Sequence, residues 1–192
     1  MHHPSSNDLD AVRDFAVVPR RMRLDLGPWC VRSFAAADAD AIALHANNRR
    51  VSIHLRDRFP FPYTRADAMG FLELVWAQQP ESDFAIASAH EAMGGIGLHR
   101  QADVHRLSAE VGYWLGEPFW GRGIATQALR ALSDWAFATT PLERLFAGVF
   151  EGNPASARVL EKAGYQLEGR LRRSVIKEGR VLDQLVYARL RP

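Results

Sequence analysis

The sequence predicts a mixed α/β (α+β) protein in which helices flank one central, partly antiparallel sheet. Two patterns predict this fold class. Residues 83–115 form short runs with period-two alternation, separated by polar turns, which is typical of antiparallel strands. Residues 124–137 instead repeat apolar side chains at helical spacing. The chain of 192 residues is long enough to bury one sizeable core.

The first third of the chain follows this plan in order. Residues 21–34 are predicted to form a strand with a break at Gly27-Pro28, and Asp38 is placed to cap a short helix. Residues 56–63 alternate prolines with aromatic side chains, and proline is excluded from helix interiors and central strands. We therefore expect an extended loop with an apolar surface at 56–63.

The middle of the chain combines one helix with a run of strands. Thr64 is expected to cap a helix over roughly residues 65–79, and residues 83–115 are expected to form three antiparallel strands with turns near 90–93 and 102–105. The apolar stripe of the helix consists of Ala68, Phe71, Leu72 and Val75.

The last third of the chain returns to helices between strands. The expected elements are a helix over 124–137, a strand over 142–150, a helix opened by Asn153-Pro154 and closed by Gly164, and a hairpin of residues 165–173 and 183–190. The inward face of the first of these helices consists of Ile124, Ala128, Leu129, Leu132, Trp135 and Ala136.

Composition narrows the class of function. The net charge is +2 and the isoelectric point about 9.0, so a general nucleic-acid-coating role is not required and a small anionic ligand fits equally well. The acidic N-terminal residues do not resemble a secretion signal, and no segment approaches ~18 uninterrupted apolar residues. We therefore expect a cytoplasmic protein with no membrane partner, in which residues 1–19 form a flexible tail and residues 20–192 form a single domain.

The cysteine and histidine content predicts no metal site. Cys30 is the single cysteine, which excludes an internal disulfide and a CxxC motif, and we interpret it as a small buried thiol. The histidines outside the tail show no metal-ligand spacing: His45, His54, His90, His99 and His105.

A glycine turn between a strand and a helix is the leading candidate for a binding site. Gly121 and Gly123 allow a tight turn after the strand of residues 110–115, and the next helix begins near Gly123. The first amides of a helix lack partners within the helix, so a phosphate or pyrophosphate is the expected guest. The P-loop pattern is absent, and only two glycines of the dinucleotide fingerprint match. A turn that merely starts a helix is the alternative.

The residues Trp120 to Ala125, WGRGIA, resemble the pyrophosphate motif Q/R-x-x-G-x-G/A of the GNAT superfamily of acyl-CoA-dependent N-acetyltransferases, with tryptophan in the leading position. The form WGRGIAT is similar to the branch of ribosomal-protein-serine/alanine N-acetyltransferases. Supporting segments across residues 21–190 are RFPFPYT, EVGYWL, GNPASARVLEKAGYQLEG and GRVLDQLVYARL. The resemblance implies a GNAT-type, mostly antiparallel sheet flanked by helices, with a V-shaped split between its two middle strands.

The resemblance also implies that acetyl-CoA is the cosubstrate, that no metal is needed, and that the coenzyme lies between the strands at 110–115 and 144–150. The main chain would pair with the pantetheine arm, and the amides of the glycine turn would bind the pyrophosphate. The implied cofactor-binding residues are Tyr113, Trp114, Leu115, Trp120, Gly121, Arg122, Gly123, Ile124, Ala125, Thr126, Asn153, Ser156, Arg158 and Lys162. The alternative role for Asn153 is a helix cap. The alternative for Arg158 and Lys162 is a solvated helix face.

Acetyl transfer to an amine needs a base for the amine and a proton for the leaving thiolate. Glu110 is the candidate base, with an exposed strand glutamate as the alternative. Many relatives carry a proton-donating tyrosine seven positions after the asparagine, but this chain has Leu160 there. Ser156 is the candidate catalytic replacement, as in the ribosomal-protein branch. The alternatives are a water, Tyr113 or Tyr165, or a serine that merely occupies the first helical turn.

The leading function hypothesis is an N-acetyltransferase that acts on a primary amine such as a protein or peptide N-terminus. A non-catalytic acyl-CoA-binding module on the same fold is the alternative, suggested by Leu160. An RNA-associated protein ranks third, because the basic stretch at 169–180 lacks interleaved aromatics and is typical of a solvated hairpin edge. A monomer or a homodimer is expected.

Overall fold

The structure, a computed structural model, describes residues 22–192. The predicted flexible tail at 1–19 lies outside the described residues. Within residues 22–192, eight strands form one sheet and five α-helices accompany it.

The strands are β1 (Arg23–Asp25), β2 (Trp29–Ser33), β3 (Asp83–Ser88), β4 (Ala92–Arg100), β5 (Ser108–Leu115), β6 (Arg144–Phe150), β7 (Gln166–Lys177) and β8 (Arg180–Leu190). The order across the sheet is β1-β2-β3-β4-β5-β6-β8-β7. Neighbouring strands run antiparallel, apart from the parallel pair β5 and β6. The predicted mixed, mostly antiparallel sheet is confirmed, and the basic stretch at 169–180 lies largely on the edge strand β7.

The helices are α1 (Ala39–Ala46), α2 (Arg49–Ser52), α3 (Arg65–Ala77), α4 (Ile124–Thr139) and α5 (Pro154–Lys162). The start of α3 follows the sequence prediction. The Thr64 hydroxyl accepts a hydrogen bond from the Asp67 amide, and the Asp67 carboxylate accepts one from the Thr64 amide. This reciprocal capping box satisfies donors that the helix itself cannot pair.

Asp38 departs from its predicted role. It occupies the N-cap position of α1, but its side chain makes no cap hydrogen bond there. The carboxylate instead accepts from the Ala35 amide and, at 2.7 Å on each oxygen, from the guanidinium of Arg32. The prediction that the Asp38 side chain caps this helix is therefore wrong, because a bidentate arginine pair is stronger than a bond to a neutral amide.

Apolar side chains are buried on both faces of the sheet. One cluster joins the sheet to α4 and α5, and a second joins it to α1 and α3. Cys30 is buried in the second cluster, as predicted. The 56–63 loop covers part of this second face, where Phe59 packs between the rings of Tyr63 and Trp114.

Candidate active site

The two parallel middle strands separate after three residue pairs. Ser108 to Glu110 of β5 pair with Arg144 to Phe146 of β6, and among the described residues the ladder goes no further, although β5 continues to Leu115 and β6 to Phe150. Peptide groups on the facing edges of the diverging strands are therefore available to an extended ligand. We call the space between residues 111–115 and 147–150 the split.

The glycine turn lies between the end of β5 and the start of α4. Gly121 and Gly123 both have φ of +76°, a left-handed conformation that favours glycine. No atom lies within 4 Å of where a Cβ of Gly121 would stand, and only the Gln127 side chain, at 3.9 Å, approaches that of Gly123. The turn is therefore open on the side where side chains would otherwise project.

Helix α4 begins without a side-chain cap. Its N-cap is Gly123, and the first turn, Ile124 to Thr126, contains no acidic residue. The leading amides of this sixteen-residue helix thus keep unpaired N–H donors and the positive end of the helix dipole. Such an end can bind a phosphate through main-chain groups alone.

Trp120 and Arg122 are exposed residues of this turn with different surroundings. The indole N–H of Trp120 donates to the carbonyl of Leu115 at 2.6 Å, and the guanidinium of Arg50 lies 5.3 Å from its ring centre. Trp120 therefore connects the turn to the end of β5. Its hydrogen bond occupies one of the two lone pairs of the Leu115 carbonyl oxygen. The Arg122 side chain extends into solvent.

The start of α5, the helix that follows β6, contacts β5. The Asn153 side chain accepts from the Ser156 amide at 3.1 Å, so the predicted cap is present. The Ser156 hydroxyl lies 2.8 Å from the hydroxyl of Tyr113, and the Tyr113 hydroxyl also lies 3.1 Å from the Ser156 carbonyl oxygen. Tyr113 and Ser156 thus connect β5 to α5.

The other aromatic and apolar candidates near the leaving-group position are placed differently. Leu160 lies on α5, and its side chain is fully buried in the core. Tyr165 is also buried, and its hydroxyl lies 2.8 Å from that of Ser133 on α4. Burial raises the pKa of Tyr165 to about 12. Its hydroxyl is therefore engaged in the core, whereas that of Tyr113 contacts the α5 residue Ser156.

Glu110 is the last residue of β5 that pairs with β6, so it lies at the base of the split. Its carboxylate accepts a hydrogen bond from the guanidinium of Arg56, a residue of the 56–63 loop. The side chain is partly exposed, at 23% of its surface. The sequence identified Glu110 but not its partner, because 54 residues separate the two.

Two further ion pairs join the end of β7 and the β7–β8 turn to the 56–63 loop and to α2. Lys177, which is 7% exposed, donates to Asp57 at 2.9 Å, and Arg49 pairs with Glu178. The Arg49 guanidinium also lies 5.8 Å from the ring centre of Phe61. These contacts join the 56–63 loop and the β7–β8 turn.

The remaining candidate residues lie on exposed surfaces. Arg158 and Lys162 project from α5. Within the described range, no three His, Cys, Asp or Glu side chains are grouped as a metal site would require. No helix among residues 22–192 is long and apolar enough to cross a membrane.

Comparison with known proteins decides the family. Residues 29–166 match the family described as acetyltransferase (GNAT) domain. The chain belongs to the GNAT family. This confirms the resemblance drawn from the WGRGIA motif, and the mixed, mostly antiparallel sheet with its helices matches the fold of solved GNAT structures.

Individual GNAT relatives cover part of the chain. This chain is 37% identical over 102 residues to YoaA, an uncharacterized N-acetyltransferase of Bacillus subtilis. The match covers 53% of this chain and 57% of that protein. The chain is 34% identical over 107 residues to the ribosomal-protein-serine acetyltransferase of Escherichia coli, covering 56% and 59%. The chain thus spans less than two thirds of these GNAT relatives.

A solved GNAT structure covers more of the fold. RimL, a ribosomal L7/L12 alpha-N-protein acetyltransferase in complex with coenzyme A, superposes with a TM-score of 0.78 and 20% identity. The match includes 88% of this chain and 98% of RimL. At this identity the likeness shows a shared GNAT fold.

Proposed function

We propose that this protein is an N-acetyltransferase that moves the acetyl group of acetyl-CoA to a primary amine. The observation that carries the proposal is the meeting of two features at one place: the split between β5 and β6, and the uncapped start of α4. The first offers strand-like main-chain groups to a pantetheine arm, and the second offers amides to a pyrophosphate.

In this proposal the coenzyme is held mainly by main chain. The pyrophosphate accepts hydrogen bonds from the amides between Gly121 and Thr126, while the pantetheine arm lies beside the unpaired edge at Tyr113–Leu115. Trp120 keeps the turn in place, because its indole N–H donates to the carbonyl of Leu115 at the end of β5. Arg158 and Lys162 add positive charge on the exposed side of α5.

Glu110 acts as the base toward the acceptor amine. An ammonium cannot attack a thioester, and an N-terminal amine has a pKa near ~8, so part of the amine must lose a proton at neutral pH. The Glu110 carboxylate lies at the base of the split, and the pairing with Arg56 restricts its orientation. The proton passes to this carboxylate, directly or through a water, and then to solvent.

Ser156 serves the leaving thiolate. The position that many relatives fill with tyrosine holds Leu160, whose buried side chain has no acidic proton to donate. The Ser156 hydroxyl lies at the first turn of α5, beside the end of the split. A hydroxyl there stabilises the developing thiolate by donating a hydrogen bond.

The acceptor reaches Glu110 from the face covered by the 56–63 loop and the β7–β8 turn. Phe59 and Trp114 supply apolar surface there, and the Lys177–Asp57 pair holds the two covering segments together. We propose an N-terminal amine of a peptide as the acceptor, with a small primary amine as the second choice. The similarity to a ribosomal-protein-serine acetyltransferase supports the first choice.

The test is release of free thiol from acetyl-CoA by the full-length protein. Peptides with N-terminal serine or alanine, a polyamine, an amino acid and an aminoglycoside are compared, and mass spectrometry of the acceptor checks for one added acetyl group. We expect thiol release with at least one acceptor, and serine or alanine peptides to be the fastest. Binding of acetyl-CoA by calorimetry without thiol release from any of them would instead identify an acyl-CoA-binding module.

Glu110→Gln tests the base. We expect the turnover rate at pH 7 to fall by about 100-fold, because general-base catalysis contributes at least that much. The deficit should shrink as the pH rises above ~8, where solvent deprotonates an N-terminal amine. Thiol release from pH 6 to pH 9.5 measures both effects.

Glu168→Gln is the matched control, because it breaks another partly exposed arginine–glutamate pair, that of Arg144 and Glu168. Its rate should equal that of the wild type. A normal rate at pH 7 in Glu110→Gln would remove Glu110 from the mechanism while leaving the acetyltransferase assignment intact.

A further inference from the structure

A pair of hydroxyl groups joins β5, on one side of the split, to α5, the helix that follows β6 on the other side. The Tyr113 hydroxyl, from β5, lies 2.8 Å from the Ser156 hydroxyl oxygen and 3.1 Å from the Ser156 carbonyl oxygen, both on α5. The two residues are 43 positions apart in the chain. The contact therefore depends on the sheet bringing β5 and α5 together.

The two distances allow two arrangements of hydrogens, because the tyrosine has only one proton to donate. If it donates to the Ser156 carbonyl, the close contact requires the serine proton to point back to the tyrosine. If it donates to the serine oxygen, the serine proton is free to turn toward the split. In an α-helix that carbonyl also accepts from the amide four residues later, so the tyrosine is its second donor.

Tyr113 remains a donor throughout the working pH range. Burial raises the pKa of its hydroxyl well above the ordinary value near 10, although the bond to Ser156 opposes this. The phenol therefore keeps its proton for the hydrogen bond to Ser156. Through this bond Tyr113 can set the direction in which its serine partner donates.

We propose that Tyr113 is a positioning residue that orients the Ser156 hydroxyl toward the leaving sulfur. This rests on the proposed function. The first proton of the acceptor ammonium goes to Glu110 and solvent. When the carbon–sulfur bond of the tetrahedral adduct breaks, the sulfur keeps the electron pair and takes a proton from Ser156. The serine oxygen regains one from the adduct nitrogen, which becomes the amide nitrogen, so protons balance and Tyr113 ends unchanged.

The experiment compares Tyr113→Phe, Ser156→Ala and the double variant, with acetyl-CoA and an N-terminal-serine peptide as probes. Tyr113→Phe should lower kcat by about five- to tenfold, the size expected for one hydrogen bond, and leave both KM values within about twofold. The double variant should be no slower than Ser156→Ala, because the tyrosine acts only through the serine.

Tyr165→Phe is the matched control. It removes a hydroxyl that lies at the same 2.8 Å from a serine hydroxyl, but that serine is Ser133 in the core. A merely structural role for buried tyrosine hydroxyls predicts the same loss of kcat in both variants. We expect Tyr165→Phe to keep the wild-type kcat, and thermal unfolding of each variant checks that the fold is intact.

Three results would overturn the inference. One is an unchanged kcat in a folded Tyr113→Phe protein, and another is a raised acetyl-CoA KM with normal kcat, which would make Tyr113 a cofactor contact. The third is full additivity of the two losses in the double variant. If the wild-type protein releases no thiol with the serine peptide or any other acceptor class, the proposed function fails, and this inference fails with it.

Discussion

Helices α4 and α5 both begin beside the split, but their first turns are completed in different ways. At α5 the Asn153 side chain accepts from the Ser156 amide, and Pro154 removes one donor from the first turn. At α4 the N-cap is Gly123, which offers no side chain, and the first turn holds no acidic residue. One helix start is satisfied by the protein itself, and the other keeps its donors free.

This difference separates structural caps from candidate anion sites. An asparagine cap stabilises a helix by about 1 kcal/mol and consumes an amide that a ligand could have used. A glycine in the left-handed conformation forgoes that stabilisation and leaves the amides open. The start of α3, where Thr64 and Asp67 form a capping box, belongs with α5 in this respect.

The largest expected effect comes from filling the open helix start. Gly123→Asp places a carboxylate among the amides that we assign to the pyrophosphate. We expect the affinity for acetyl-CoA, measured by calorimetry, to fall by more than about 100-fold, since each charged hydrogen bond contributes about 1.5–3 kcal/mol.

Gly27→Asp is the matched control for this prediction, because Gly27 has a similar φ of +78° and open surroundings in the β1–β2 turn. The affinity of Gly27→Asp for acetyl-CoA should equal that of the wild-type protein. Undiminished acetyl-CoA binding in a folded Gly123→Asp protein would contradict the placement of the pyrophosphate. It would also remove the functional difference between the uncapped start of α4 and the capped start of α5.

A smaller effect is expected when the side-chain cap at the start of α5 is removed. Asn153→Ala removes the α5 cap, and we expect urea unfolding to show a loss of about 1 kcal/mol. Thr64→Ala, at the equivalent position of α3, should lose a similar amount. If Asn153 also contacts the coenzyme, as the family resemblance implies, the affinity for acetyl-CoA falls in Asn153→Ala and stays unchanged in Thr64→Ala. Equal affinities would assign Asn153 to capping alone.

The smallest effect concerns the exposed charges of α5. Replacing Arg158 and Lys162 by alanine together should weaken acetyl-CoA binding by about two- to fivefold at low ionic strength, because exposed charges interact weakly. The difference should disappear near 1 M salt, where screening is nearly complete. Arg180→Ala, an exposed arginine of the β7–β8 hairpin, serves as the comparison and should have no effect. A salt-independent loss would indicate a direct contact instead of general attraction.

Most of the secondary structure could be predicted because its signals are local. Thr64 caps α3, Gly123 precedes α4 and Asn153-Pro154 opens α5, as their residue types indicate. Asp38 shows the limit of such signals. Asp38 does occupy the N-cap position of α1. Its carboxylate pairs with Arg32 instead of a helix amide, because β2, which carries Arg32, packs beside it.

The candidate site was predictable only in part. The glycine turn, Glu110 and Ser156 could be named from motifs, since each lies in a recognisable stretch of sequence. Their partners could not, because Arg56 is 54 residues from Glu110 and Tyr113 is 43 residues from Ser156. Tyr113 and Tyr165 were equivalent candidates in the sequence, and their different partners in the structure, Ser156 on α5 and Ser133 on α4, distinguish them. The single domain at 20–192, the cytoplasmic location and the monomeric or dimeric state stay predictions.

The sequence by itself determined where the chain turns, that α3 and α5 carry side-chain caps, and that two glycines leave the start of α4 without one. These properties depend on residues within a few positions of one another. Only the tertiary structure decided that β5 and β6 separate after Glu110 and that Arg56 reaches this carboxylate. It also decided which tyrosine meets Ser156. Such pairings depend on how sheet and helices pack, and packing brings together residues that local signals cannot relate.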